Sequence, residues 1–282
     1  MNKLLLLSLS GVSLCANALF NYQAFQHFDN RVSFGTNYGQ GTLSTNNATN
    51  SNTYNYNSIN VEVEKLFDVG IWLDGQIGNL NTYEQNGTTL APLGSYQYLA
   101  TANLKLGYNF PIVENSLSIT PYFLIGKNAN INFLNNLVTT YNIVAPGVTG
   151  LSNYGITQNY YVTTGLGLRL EYPINKYFDV FFDQFVAYNA DQAPLKINTP
   201  GLFQGVNSFN GDTSNTQYTS TLGLKVDLWD DLQLGANLFY TAYTGYGTDT
   251  LAFYNNPALN NYATGLPTTD YGAQFQVGWT FQ

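Results

Sequence analysis

Tyr271-Gly-Ala-Gln-Phe-Gln-Val-Gly-Trp-Thr-Phe-Gln282 decides the fold. Tyr271, Ala273, Phe275, Val277, Trp279 and Phe281 alternate with Gly272, Gln274, Gln276, Gly278 and Thr280. Side chains of a β-strand point to opposite faces in turn, so this segment presents one apolar, aromatic face and one polar or small face. The same alternation recurs upstream. It predicts ten strands, at about 29–40, 54–66, 69–82, 95–109, 116–127, 157–172, 177–189, 216–228, 231–244 and 270–281. Eight or twelve strands are the neighbouring solutions if one hairpin is read differently.

The connections alternate in length. Short turns are expected at 65–68, 109–115, 173–176 and 229–231. Long links rich in Asn, Gly and Thr are expected near 41–53, 83–94, 128–156, 190–215 and 245–269. The strand ends at the short turns also repeat one another. Leu104–Pro111, Leu166–Pro173 and Leu222–Trp229 each alternate aliphatics with Gly or a charge and close on an aromatic.

Composition limits what such strands build. Charged residues make up 9% of the chain and aromatics 16%, whereas a soluble globule carries about 25% charge. A soluble antiparallel sandwich would also alternate, but its exposed faces would need more charge than this. The net charge of −8 argues against nucleic acid as a partner, because phosphate contact needs a basic surface.

Parity assigns each in-strand charge to a face. Val32 and Phe34 put Arg31 opposite them, and Val61 and Val63 do the same for Glu62 and Glu64. Ile71 and Leu73 set Asp74; Leu104 and Leu106 set Lys105; Leu168 and Leu170 set Arg169, with Glu171 following. Phe178, Val180 and Phe182 set Asp179 and Asp183, and Leu224 and Val226 set Lys225, with Asp227 following. The expectation is that no in-strand charge shares the apolar face, where a charge at a membrane midplane costs about 2–4 kcal/mol.

The aromatic-rich closing strand and the alternation of short and long connections resemble bacterial outer-membrane β-barrels, among them OmpA-like transmembrane domains, opacity-type surface proteins and porins. Here Gln282 follows the terminal aromatic Phe281. The resemblance implies an all-β fold, a transmembrane antiparallel up-and-down barrel of about ten strands. It implies an outer-membrane location, with lipid against the apolar face and the barrel-assembly machinery engaging the last strand. Short turns would face the periplasm and long loops the exterior. The inward charges Arg31, Glu62, Glu64, Asp74, Lys105, Arg169, Glu171, Asp179, Asp183, Lys225 and Asp227 would line the lumen. Tyr108, Tyr172, Trp229, Trp279 and Phe281 would form an aromatic girdle at the membrane boundary. Two readings of the inward charges stay open, a salt-bridge lattice that fills the lumen, which is favoured, and a charge-selective constriction.

The N-terminus fits a secreted chain. Lys3, the apolar run Leu4–Leu14 and Ala16-Asn17-Ala18 form a signal peptide over 1–18, with the barrel over 19–282. Bulky Leu14 before Cys15 argues against lipidation. Cleavage would remove the single cysteine, and with it any disulfide.

Catalytic constellations are missing from the sequence. His27 is the single histidine, expected as a solvated residue before the first strand. No HExxH, nucleophile elbow or phosphate loop occurs. A non-enzymatic protein without cofactor or metal is expected. Asn207–Asn215 reads as a surface turn rather than a calcium loop. Loop aromatics such as Tyr141, Tyr154, Phe203, Phe209, Phe253, Tyr254 and Tyr262 suit recognition or loop packing equally. Passage of small hydrophilic solutes or ions is the expected function. A surface-interaction, adhesin or structural role through the loops, with host surface molecules as partners, is the alternative.

Overall fold

The computed structural model describes residues 22–44, 52–84, 96–113, 115–133, 156–191, 214–229 and 231–281. The signal-peptide segment, the long links and the loop aromatics named above lie outside them. A short helix, α1 (Gln23–Asp29), precedes β1 (Arg31–Ser44), β2 (Asn52–Leu66), β3 (Ile71–Glu84), β4 (Tyr96–Tyr108), the short β5 (Phe110–Val113), β6 (Leu117–Phe133), β7 (Ile156–Asn175), β8 (Phe178–Asp191), β9 (Asn215–Trp229), β10 (Leu232–Thr244) and β11 (Leu266–Thr280).

Each long strand pairs antiparallel with its neighbour in the chain, β4 pairs with β6, and β1 pairs with β11. The ring is thereby closed by ten strands. Closure satisfies every edge, which is what an up-and-down barrel needs in lipid. The alternation found in the sequence sets the register. A one-residue slip would turn every leucine inward and every charge outward. The β5 segment falls within the expected 109–115 turn. It continues β4 past Asn109 and pairs with the start of β6.

The two faces separate as the parity requires. Large apolar side chains such as Ile59, Ile77, Leu166, Leu238 and Phe275 stand on the outside. Arg31, Glu64, Arg169, Glu171, Asp179 and Lys225 are buried on the inside. Two lysines depart from the expected rule that no in-strand charge shares the apolar parity. Lys65 lies on the same face as Val61 and Val63, and Lys127 on that of Phe123 and Ile125. Lys65 adjoins a short turn and lies over the rings of Phe67 and Phe281, 5.9 and 4.9 Å from their centroids. Lys127 is ten residues into β6, roughly 25 Å along the barrel axis for a tilted strand. They therefore flank the apolar band, where a long cationic side chain reaches polar surroundings.

The first expected strand begins too early. Residues 23–29 form α1, in which Phe25, Phe28 and Asp29 are buried and the turn at Asn30 leads into β1. Phe25 packs with Tyr22, Leu66, Trp72 and Tyr122. This helix closes the short-turn end of the ring from within.

Candidate functional site

The interior divides into a charge lattice at the short-turn end and a cavity beyond it. The lattice is built by inward residues of β1, β2, β7, β8 and β9 together with α1. Lys225 donates to Asp29 Oδ1 at 2.5 Å and lies 3.0 Å from Glu64 Oε2. Arg169 reaches Glu64 Oε1 at 3.1 Å, Asp29 Oδ1 at 3.3 Å and Glu171 Oε2 at 3.5 Å. Its guanidinium stacks over Phe181, 4.1 Å from the centroid. Arg31 pairs with Glu62 at 3.0 Å and Glu64 at 3.1 Å, and Gln276 donates to Glu62 at 2.6 Å. Asp179 faces Lys225 in the register and is buried. Glu64 is the hub: it takes Arg31, Arg169, Lys225 and the Trp72 indole N–H, the last at 3.1 Å. Buried ions in apolar surroundings are costly unless each is paired and hydrogen-bonded, and here Arg31, Arg169 and Lys225 make ion pairs with Asp29, Glu62, Glu64 and Glu171.

Helix α1 is tied into this lattice. Besides Asp29, the Phe28 carbonyl accepts from Lys225 at 3.4 Å, and the His27 carbonyl from Gln233 at 3.1 Å. Gln26 donates to Asp68 at 2.7 Å. His27, expected to be a solvated terminal residue, contacts Asp227 through Nε2 and lies 3.2 Å from the Lys176 carbonyl. Burial pushes the Asp29 carboxyl up, Glu171 and Glu64 add to this, and Lys225 and Arg169 oppose it.

A second, smaller cluster stands above the lattice. Lys105 bridges Asp183 at 2.7 Å and Asp74 at 3.2 Å, and Tyr122 donates to Asp183. Asp74 and Asp183 therefore share one lysine. Above them lies a cavity of about 250 Å³, with polar walls of Asn, Gln and Thr from around the ring and the aromatic surfaces of Phe185, Phe239 and Tyr243. Trp72, Tyr122 and Phe239 also point inward, opposite the apolar outer residues of their strands, but the sequence did not mark them out.

The girdle residues differ in setting. Tyr172, Trp229 and Trp279 are at least half exposed on the outer rim. Trp279 meets Phe34 edge-on at 6.2 Å. Tyr108 stacks on Phe110 at 4.7 Å and covers Gly70, whose φ of +83° the short turn demands. Phe281 follows β11 and receives Lys65.

A closed antiparallel ring, apolar outside and charged within, is the fold of bacterial outer-membrane β-barrels. No protein-family model matches the chain, and no curated protein matches it. Among solved structures it is similar to the translocator domain of autotransporter NalP from Neisseria meningitidis. That likeness has 12% identity over 89% of this chain and 88% of that one, with a TM-score of 0.50. The transport unit of the autotransporter AIDA-I from Escherichia coli is 11% identical over 97% and 98%, with a TM-score of 0.45. The outer membrane protease OmpT from Escherichia coli is 9% identical over 90% and 97%, with a TM-score of 0.44. These are likenesses of fold.

Proposed function

We propose that the protein is an outer-membrane barrel sealed at its short-turn end, which faces the periplasm, and that it works at the cell surface through the opposite end. The observation that carries this reading is the burial of Lys225, Glu64 and Asp29, none of which exposes any side-chain surface. Water in a conducting lumen would touch charged groups, since that is where field and hydration act on a passing ion. Here α1 and the lattice exclude it. Reconstitution into planar bilayers tests the reading. No steady conductance is expected from the intact chain, and a stable open level would overturn it.

A gated passage for small hydrophilic solutes or ions is the second reading. Its support is the polar cavity beyond the lattice and the polar character of the ties that hold α1. Under this reading conductance appears once α1 leaves, which a chain lacking residues up to Asp29 would reveal. The signal peptide over 1–18 belongs to both readings and is checked by the N-terminal sequence of the protein recovered from membranes.

A further inference from the structure

We infer that the cavity above the lattice is a binding site for a small neutral saccharide of one or two rings. The inference rests on the reading that the cavity is reached from the long-link end. Its volume of about 250 Å³ lies just below the 300–1,000 Å³ of drug-sized ligand pockets, which suits a small solute rather than a polymer.

The chemistry of the walls selects the class. The charges at the floor are already ion-paired, Lys105 with Asp74 and Asp183 and Glu62 with Arg31, and Glu62 also accepts from the Gln276 amide. A charged ligand would have to be desolvated there without a counter-ion of its own, which is unfavourable. The amides are not so committed. Asn60, 3% exposed, makes no side-chain hydrogen bond among the described residues through either polar atom. The carbonyl oxygens of Asn37, Asn103 and Asn237, the second carboxylate oxygen of Asp74 and the Gln274 amide nitrogen are likewise buried without a hydrogen-bond partner among the described residues. All six residues line this one cavity. The set mixes acceptors with donors, and amide reorientation exchanges one for the other within a residue, so a hydroxyl, which both donates and accepts, satisfies either orientation. Buried groups of this kind demand partners, and a ligand rich in O–H donors supplies them. Phe185, Phe239 and Tyr243 add apolar surface to the same cavity, against which the C–H face of a sugar ring packs. Planar amides beside an aromatic surface therefore fit a polyol better than an ion or a purely apolar molecule.

Isothermal titration calorimetry of the folded, detergent-solubilised full chain tests this. The probes are glucose, N-acetylglucosamine and maltose, with glucosamine and gluconate as cationic and anionic counterparts. Saturable binding of at least one neutral sugar is expected, at least tenfold tighter than either charged counterpart. Asn60→Ala with Asn237→Ala should weaken that binding tenfold or more. Asn37→Ala, a single change in the same row of the barrel as Asn237 and Gln274, serves as the milder variant and should weaken it severalfold. Heat-dependent gel mobility reports that each variant is folded. Absence of saturable binding by all three neutral sugars overturns the inference. So does binding that the folded variants leave unchanged, and so does preference for a charged counterpart. Conductance is read separately: a barrel that conducts and still binds the neutral sugar removes the sealed-barrel reading while the site stands.

Discussion

The cost of a charge on the outer face depends on how far it sits from the rim, and two leucines separate the terms. Leu166 stands six residues from Tyr172 on the outer face of β7 and is 69% exposed. Leu106 stands two residues from Tyr108. Leu166→Arg is expected to destabilise the barrel by about 2–4 kcal/mol, and Leu106→Arg by about 0–1 kcal/mol, because the penalty fades from midplane to interface. Urea titration of both variants in lipid vesicles checks this; equal costs would remove the depth assignment. Thr163→Ser serves as the inward control, since the hydroxyl that donates to Asn189 at 2.6 Å is kept. A different term governs Lys225. Lys225→Met leaves Asp29 and Glu64 without their shared ammonium, and breaking a buried pair costs about 3–5 kcal/mol. At this scale the sequence was legible wherever a charge sat between two aliphatics, as Lys105 does between Leu104 and Leu106. Parity fixes the face in such cases. It is silent on pairing, because partners come from strands far apart in the chain. That is why the sequence did not show that Asp74 and Asp183 share Lys105, and the rim lysines Lys65 and Lys127 were assigned no place.

All ten strands were readable as elements because lipid outside and polar groups inside enforce a period of two. Helix α1 was not. Seven residues are too few to show a helical period, and Phe25 packs with Trp72 and Tyr122 while Phe28 is buried beside it, rather than against lipid. Its docking is expected to respond to pH. Asp29 is packed among Lys225, Arg169, Glu64, Glu171 and Asp179, and its carboxyl is raised above the usual carboxylate range, first by burial and then by Glu171 and Glu64. A raised folded-state value means that the docked helix binds the proton more tightly than the free segment. Docking is therefore fully supported below the ordinary Asp value and is lost progressively as pH rises through the raised one. Hydrogen exchange of the α1 amides, corrected for intrinsic rate, should show protection falling as pH rises. Asp29→Asn should flatten that dependence. Protection that grows with pH in the unmodified chain would reverse the sign and discard the argument.

The whole molecule is a ring that stands without its helix. Every long strand is paired on both sides by other strands, and the closing pair β1–β11 runs from Arg31↔Thr280 to Ser44↔Leu266. Most of the hydrogen bonding that resists unfolding in lipid therefore survives loss of α1. A chain beginning at Asn30 is expected to remain a heat-resistant barrel while losing the contacts of Phe25, Phe28 and Asp29. Its lumen would then be lined at the short-turn end by Glu62, Glu64, Glu171, Asp179 and Asp227 against Arg31, Arg169 and Lys225. A surplus of acids in a narrow passage of low dielectric lowers the energy of cations relative to anions. The truncated barrel should thus conduct with a weak cation preference, read as the reversal potential across a planar bilayer under a salt gradient. Adding Asp74→Asn and Asp183→Asn leaves Lys105 without its two carboxylates. That change should move the reversal potential toward anions while the strands still pair. Anion selectivity before those two changes would mean that the lattice charges do not face the path of the ion. A truncated barrel that folds and passes no current would place the barrier in the lattice itself rather than in α1.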